Sequence, residues 1–276
     1  MRIKGKKMDF GHSYTYKDML REIKFLKKCF SSKLEVRSIG ITKENRWIPM
    51  LIFGYGEKSG MFTAGIHGRE SINPVVLLSM AEAYLNLERK NEIYRTEGKI
   101  YLIPLLNPDG YEKARVEAPF WKENGRGLDI NRNFPSIHFQ KKGEEDYAGS
   151  EEETKALMSA FQKTKPDGYL DYHSRGRSIY YYRKQMKATY NDKQLLIGRD
   201  LSESTGYSLK SPKEEIEISD SGGNSVHYFS EYFKKPALTI ETVEEEEEFP
   251  LGVQLQKPVY EEIKNTFGIF LDALKR

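Results

Sequence analysis

The chain has 276 residues, of which 38% are hydrophobic and 12% aromatic, enough to build the core of one α/β domain. Its 44 Lys and Arg residues are interspersed with 41 Asp and Glu residues. The resulting net charge of +3 produces no global basic field, so the composition argues against a nucleic-acid-binding protein.

The sequence predicts a cytoplasmic protein that neither crosses nor binds a membrane. The basic residues 1–7 are not followed by the apolar segment of a signal peptide. No apolar run approaches the roughly 18 residues that a membrane span needs. The one cysteine, Cys29, excludes an internal disulfide and is compatible with a reducing compartment. These features leave the oligomeric state open.

Strand and helix patterns alternate along the chain. Residues 15–18 resemble a capping box that begins a first helix, and Pro74 suits the first turn of a second helix that continues to Leu85. A helix is also predicted at 151–162, and a last one begins at Pro258. Predicted strands are 34–39, 47–53, 61–64, 99–105, 168–172, 178–183 and 236–240. This alternation predicts an α/β fold with a mainly parallel (mixed) central sheet covered by helices on both faces.

Three reactive side chains follow the ends of predicted strands. His67 comes after 61–64, His173 after 168–172 and Glu241 after 236–240. In an open α/β sheet, ligands gather beyond the carboxyl ends of the strands, so residues distant in the chain can meet there.

His67, Glu70 and His173 together are a candidate ligand set for one zinc ion. Two histidines and a glutamate leave a fourth position open for water, as hydrolytic zinc sites require. A His-x-x-Glu pair by itself also occurs by chance, and such a pair at a strand end can simply be satisfied by backbone groups.

The motifs as a set resemble the zinc carboxypeptidase family in order and rough spacing. They are HGRE at 67–70, NPDGY at 107–111, DINRNF at 129–134, His173, and TIE at 239–241. The resemblance runs from about Tyr14 through the final helix. We therefore expect residues 1–13 to be an N-terminal extension and residues 14–276 to be a single carboxypeptidase-like catalytic domain.

One bacterial branch of that family, which cuts γ-D-glutamyl–diamino acid bonds in cell-wall peptides, is the most similar. The residues that carry this likeness are 120–135, 147–151 and 172–176. The resemblance implies a metallopeptidase whose substrate is a small peptide, with a muropeptide as the candidate. In the predicted compartment, the enzyme would recycle imported muropeptides.

The resemblance also implies roles for individual residues. His67, Glu70 and His173 would hold one Zn²⁺ ion, and Glu241 would act as general base and then general acid. Asn131 and Arg132 would clamp a substrate carboxylate, for which a guanidinium fork is suited.

Two positions depart from the pattern of the digestive carboxypeptidases. Where those enzymes carry an arginine after the tryptophan to stabilise the oxyanion, this chain has Lys122, and Arg126 lies nearby. The sequence does not choose between these two cations. The position of the family's mobile tyrosine corresponds to Ile218, which argues against ordinary removal of C-terminal residues.

Four further features have both a functional and a structural interpretation. The acidic run Glu244 to Glu248 either attracts a substrate amine or is a solvated loop. His227 either lines the pocket or packs in the core, and Arg175 is a candidate for the substrate cleft. Residues 107–110 are interpreted as a structural turn without a catalytic role.

The leading hypothesis is therefore a zinc-dependent γ-D-glutamyl–diaminopimelate peptidase, with three alternatives. A conventional metallocarboxypeptidase would remove C-terminal residues. A desuccinylase- or aspartoacylase-like amidohydrolase would share the His-x-x-Glu pair and the distant histidine, but the motifs at 107–110 and 129–134 favour the peptidase. A catalytically inactive binding module would fit the changes at Lys122 and Ile218, although the three ligands and Glu241 argue against it.

Overall fold

The computed structural model describes residues 8–86, 97–137, 139–141, 147–219 and 222–276, without the side chains of 216–219. The strands are β1 Glu35–Ile41, β2 Trp47–Tyr55, β3 Ser59–Ala64, β4 Gly98–Ile103, β5 Gly168–Ser174, β6 Ser178–Tyr180, β7 Ser208–Leu209 and β8 Ala237–Thr242. The α-helices are α1 Tyr16–Cys29, α2 Ile72–Leu85, α3 Pro108–Val116, α4 Glu152–Thr164, α5 Ala188–Thr205, α6 Pro212–Ser219, α7 Ser225–Phe233, α8 Gln256–Ile263 and α9 Thr266–Ala273.

The strands form one mixed sheet in the order β1-β2-β4-β3-β5-β8-β6-β7. Its centre, β4-β3-β5-β8, is parallel, whereas β1 and β2 on one side and β6 on the other run antiparallel to their inner neighbours. Every residue of β5 is buried, as expected for a strand covered on both faces. The predicted mixed sheet is confirmed.

Helices cover both faces of this sheet. Buried side chains of α1, α2, α5, α8 and α9 belong to one apolar cluster. Those of α4 and α7 belong to a second cluster on the opposite face. All of α2 is buried because it lies between the sheet and α8. Within the described residues, no helix is long and apolar enough to cross a membrane.

Local signals predicted several element boundaries correctly. Thr15 accepts a hydrogen bond from the Asp18 amide and the Asp18 carboxylate accepts one from the Thr15 amide, which completes the predicted capping box. Glu70 lies between β3 and α2, also as predicted.

Three predictions of secondary structure were wrong. Residues 107–110 are the start of α3, because Asn107 caps the helix and Pro108 occupies its first turn. The predicted strand 178–183 ends at Tyr180. The predicted final helix is two helices, since the chain breaks helical geometry between Ile263 and Thr266.

Glu153, in the first turn of α4, is a buried carboxyl group whose ionisation the fold opposes. It is 2% exposed, and its Oε1 atom has no hydrogen-bond partner within the described residues. Asn124 donates to its Oε2 atom over 3.3 Å. Burial, together with the nearby Asp109 and Glu151 carboxylates, raises the pKa of Glu153 to about 7.

We predict that Glu153→Gln removes a pH-dependent loss of stability. Between the ordinary pKa of 4.5 and the folded value of about 7, the unfolded chain ionises Glu153 while the folded chain does not. The free energy of unfolding of the wild type should therefore fall as pH rises through this window, by about 2–3 kcal/mol from this group. Urea denaturation at acidic and mildly alkaline pH measures the difference between variant and wild type.

Glu152→Gln is the matched control, because Glu152 is exposed on the same turn and pairs with Lys155 at the surface. The difference in free energy of unfolding between Glu152→Gln and the wild type should not increase with pH. An advantage of Glu153→Gln that is equal at both pH values would contradict the prediction.

Candidate metal centre

Two histidines and a glutamate converge beyond the carboxyl ends of the parallel strands. His67 and Glu70 lie in the loop between β3 and α2, and His173 is the next-to-last residue of β5. Glu241 lies on the neighbouring strand β8, where it is paired in register with His173 of β5. Neighbouring strands are about 4.8 Å apart, so Glu241 is next to the histidine pair.

The nitrogen and oxygen atoms of the three side chains lie close together. The Nδ1 atom of His67 is 2.6 Å from Glu70 Oε1, and the Nδ1 atom of His173 is 3.2 Å from Glu70 Oε2. The two Nδ1 atoms are 3.3 Å apart. Among the residues that the structure describes, these three form the one His/Cys/Asp/Glu group able to hold a metal, with ligand atoms within 4.8 Å of one another.

Each imidazole has a carboxylate at its other nitrogen. Asp129 Oδ1 lies 3.3 Å from His67 Nε2, and Asp171 Oδ2 lies 3.1 Å from His173 Nε2. Such carboxylate–histidine pairs orient the ring and increase the basicity of the nitrogen that faces a metal. Lys122 Nζ is 2.8 Å from the second oxygen of Asp129.

Charges in the centre favour ionised carboxylates. Burial alone would raise the pKa of Glu70, but His67 and His173 outweigh it and hold that pKa far below its usual range. His67 and Lys122 likewise hold the pKa of Asp129 low against the effect of burial. Burial opposes the charged form of His173, yet Asp171 and Glu70 raise its pKa well above the ordinary value. The centre therefore stabilises positive charge.

This donor set fits a zinc ion. Both rings present the same nitrogen, and each ring has a carboxylate oxygen within 3.3 Å of its other nitrogen. The third donor is an ionised carboxylate, which is the form that a metal ligand needs. All three ligands are nearly inaccessible to solvent, so the site is preformed rather than assembled at the surface.

Backbone packing holds the His67 loop in place. Gly68 packs so closely on the Gly110 carbonyl that a Cβ atom would lie 2.4 Å from its oxygen. Asn107 donates to the carbonyls of Ile66 and Glu123, over 3.0 and 3.1 Å. The motif at 107–110 is therefore structural, as interpreted from the sequence, although it forms a helix start.

A second set of polar contacts holds His173. Asn73, in the first turn of α2, donates to the His173 carbonyl over 2.7 Å. Thr242 donates to Asn73 over 2.9 Å, which ties β8 to the same point. The helix that follows Glu70 thus also fixes the strand end that carries His173.

Glu241 has the properties of a group that exchanges protons near neutral pH. Burial raises its pKa to about 7, with His173 opposing the rise and Glu70 adding to it. Its Oε2 atom has no hydrogen-bond partner within the described residues. A carboxyl group with this pKa beside a metal centre suits general acid–base catalysis.

The centre opens into a cavity of about 760 Å³. His67, Glu70, His173 and Glu241 line it, and so do Asn131 and Arg132. Asn131 Nδ2 lies 3.4 Å from His173 Nε2, and Arg132 donates to the Asn131 carbonyl over 2.7 Å. The predicted clamp residues therefore lie in the same cavity as the predicted ligands.

The two candidate cations for the oxyanion differ in position. Lys122 lines the cavity and pairs with Asp129. Arg126 is absent from the cavity lining, and its Nη1 atom is 3.2 Å from Glu151. Within the described residues, the geometry favours Lys122 and argues against Arg126.

The remaining predicted features are divided between cavity and surface. Arg175 and His227 line the cavity, as do Glu245 and Glu248 of the acidic run. Glu244 instead pairs with Arg177. The side chain of Ile218 lies outside the described residues.

Sequence reasoning missed several residues of the site. Asp129 lies in the DINRNF motif and Asp171 in the predicted strand 168–172, but neither carboxylate has a distinctive sequence signal of its own. Tyr180, Arg183 and Glu215 also line the cavity. Their position depends on the packing of β6 and α6, which no local motif specifies.

Comparison with known proteins gives a family match over most of the chain. The profile of the zinc carboxypeptidase family matches residues 19–265. Gamma-D-glutamyl-L-diamino acid endopeptidase 1 of Lysinibacillus sphaericus is 24% identical over 301 aligned residues, 95% of this chain and 72% of that protein. Metallocarboxypeptidase A of Trichophyton rubrum is 30% identical over 142 residues, 46% of this chain but only 34% of its own length. The aligned region thus spans about a third of that relative.

Solved structures share the fold. Carboxypeptidase A from Helicoverpa armigera superposes with a TM-score of 0.82 at 18% identity, over 98% of this chain and 76% of that one. Murein-tripeptide amidase from Escherichia coli O157 gives a TM-score of 0.57 at 17% identity, over 87% of this chain and 92% of that one. At this identity the superpositions establish the architecture alone.

We predict that Asp129→Asn lowers zinc affinity by about 10–100-fold without unfolding the protein. The amide keeps the shape of the side chain but loses the charge that orients His67. Competition with a chromophoric chelator measures the affinity. Glu123→Gln, in the same loop but bonded to the Lys122 amide rather than to a histidine, is the control. Equal affinity of both variants would contradict a role for Asp129 in the metal centre.

Proposed function

The chain belongs to the zinc carboxypeptidase family, and within that family we propose that it hydrolyses γ-D-glutamyl–diamino acid bonds of short cell-wall peptides. The observation that carries a hydrolytic role is Glu241, half-buried beside the preformed His67–Glu70–His173 centre. The proposed compartment is the cytoplasm, which suits a chain whose single cysteine requires no oxidation.

The metal and Glu241 have complementary roles in this proposal. Bound zinc supplies Lewis acidity, which polarises a carbonyl group and makes water more acidic. Glu241 accepts a proton as water adds to the scissile carbonyl carbon. As the carbon–nitrogen bond breaks, Glu241 delivers that proton to the leaving amine. Its pKa of about 7 allows both transfers.

Cationic and polar side chains of the cavity position the substrate. Arg132 binds the carboxylate of the leaving amino acid, with Asn131 as the neighbouring donor. Lys122 faces the oxygen that gains negative charge, and its contact with Asp129 fixes its position.

The choice of substrate has two supports. The relative from Lysinibacillus sphaericus, named for γ-D-glutamyl-L-diamino acid endopeptidase activity, aligns with 95% of this chain. The sequence also carries Ile218 where the digestive enzymes have the tyrosine that contacts a C-terminal carboxylate. Both favour an unusual peptide bond over ordinary C-terminal trimming.

We predict that the purified zinc protein releases diaminopimelate from L-Ala-γ-D-Glu-meso-diaminopimelate. Chromatography of the free amino acid measures the release. N-acyl amino acids tested in parallel address the amidohydrolase alternative, and ordinary peptides address the conventional carboxypeptidase. Turnover of ordinary peptides without release of diaminopimelate would reject the proposed substrate. Inactivity on the whole panel, with zinc bound, would favour the binding module.

We also predict that Glu241→Gln lowers kcat by at least about a thousandfold and leaves the zinc content unchanged. The amide cannot accept the proton from water, whereas the three metal ligands stay in place. Metal analysis and single-substrate kinetics on the same sample measure both quantities. Glu246→Gln, on the following loop and outside the cavity lining, should retain wild-type kcat. Substantial turnover by Glu241→Gln would remove Glu241 from the mechanism.

A further inference from the structure

A buried ion pair lines the cavity away from the metal centre. Arg183, three residues beyond the end of β6, pairs with Glu215 of α6, and both side chains are among the cavity-lining residues. Only 4% of the Arg183 side chain and 5% of the Glu215 side chain are exposed. We call these two residues the floor pair.

The floor pair lies at the opposite end of β8 from Glu241. The Nη2 atom of Arg183 donates to the carbonyl of Ala237, the first residue of β8, over 2.7 Å. Ala237 is four positions before Glu241, which corresponds to about 13 Å along a strand. Thr239 and Tyr180, which are paired in register, line the cavity between these two ends.

The bonds that Arg183 makes leave donor capacity unused. Nη1 donates to Glu215 and to the Tyr182 carbonyl, and Nη2 donates to Ala237. The Nε atom is buried and has no hydrogen-bond partner within the described residues. An unpaired guanidinium N–H in a buried site is costly, and a carboxylate is the partner that a guanidinium binds most strongly.

Hydrogen bonds to backbone groups also hold the frame around Arg183. Asn191 of α5 accepts from the Arg183 amide over 2.8 Å and donates to the Arg183 carbonyl over 3.0 Å. Gln194, one turn further along α5, accepts from the Ala237 amide over 2.7 Å. These bonds fix the loop after β6 against β8, so the guanidinium is held in advance of any ligand.

A floor with both charges discriminates between substrate side chains. A lone ammonium would meet the positive Arg183, and a lone carboxylate would meet the negative Glu215. A side chain that ends in both an ammonium and a carboxylate can place each group against the opposite charge. Buried ion pairs contribute little net stability, and both members of the floor pair line the cavity.

Building on the proposed function, we propose that Arg183 and Glu215 are specificity-determining residues that bind the distal amino-acid head group of a diaminopimelate side chain. Arg183 binds the distal carboxylate and Glu215 binds the distal ammonium. Lysine lacks the carboxylate and α-aminopimelate lacks the ammonium, so each is a poorer leaving residue than diaminopimelate.

The test compares L-Ala-γ-D-Glu peptides that end in meso-diaminopimelate, L-lysine or α-aminopimelate, using the zinc-loaded enzyme. The wild type should prefer diaminopimelate to lysine by about tenfold or more in kcat/KM. Arg183→Met should bring this ratio close to one. Glu215→Gln should mainly reduce the preference for diaminopimelate over α-aminopimelate. Because each ratio is measured on one sample, partial misfolding of a variant does not alter it.

Neighbouring exposed residues provide matched controls. Lys184→Met and Glu214→Gln remove the same charges one position away, outside the cavity lining, and should keep the wild-type ratios. If the wild type cleaves the diaminopimelate peptide but Arg183→Met keeps the wild-type ratio, the floor pair is merely structural and the inference is wrong.

A binding measurement separates this inference from the proposed function. Calorimetry of free meso-diaminopimelate and free lysine with the zinc-loaded protein needs no turnover. If no γ-D-glutamyl peptide is cleaved, the proposed function fails. A preference for free diaminopimelate that Arg183→Met abolishes would still support the floor pair, and equal binding of both amino acids would overturn it.

Discussion

The fold is organised around a concentration of charge that would be unstable without a cation. Glu70, Asp129 and Asp171 lie around the imidazoles of His67 and His173, and most of these groups are buried. Their mutual attraction offsets the cost of burial only when protons or a metal supply positive charge. The strand ends, the loops and the first turn of α2 all hold these five side chains in contact.

The parallel centre of the sheet makes this convergence possible. β3, β5 and β8 end at the same edge, so His67, His173 and Glu241 meet although more than sixty residues separate each from the next. An antiparallel arrangement would place successive strand ends at opposite edges. Strand β6 runs antiparallel to β8, so the chain that follows its last residue brings Arg183 to the start of β8.

The sequence predicted the parts of the site that depend on local signals. The strand that precedes His67, the capping box at Thr15 and the loop position of Glu70 follow from periodicity and capping chemistry, and each was found. The start of α3 at Asn107 was predicted as a turn, because Asn and Pro are common both in turns and at helix N-termini. The choice between Lys122 and Arg126 required the backbone path of residues 122–126, which determines that one faces the cavity and the other faces Glu151.

Residues that act through long-range packing gave no sequence signal. Arg183 and Glu215 are thirty-two positions apart in the sequence. They meet because Asn191 of α5 holds the loop after β6 and α6 packs against that loop. The same strand, β8, carries Glu241 at one end and accepts a hydrogen bond from Arg183 at the other. The proposed general base and the proposed side-chain site are therefore attached to the same strand. A substrate side chain bound at the floor pair would hold the scissile bond at a set distance from Glu241. Binding of the side chain would therefore also orient the reacting carbonyl.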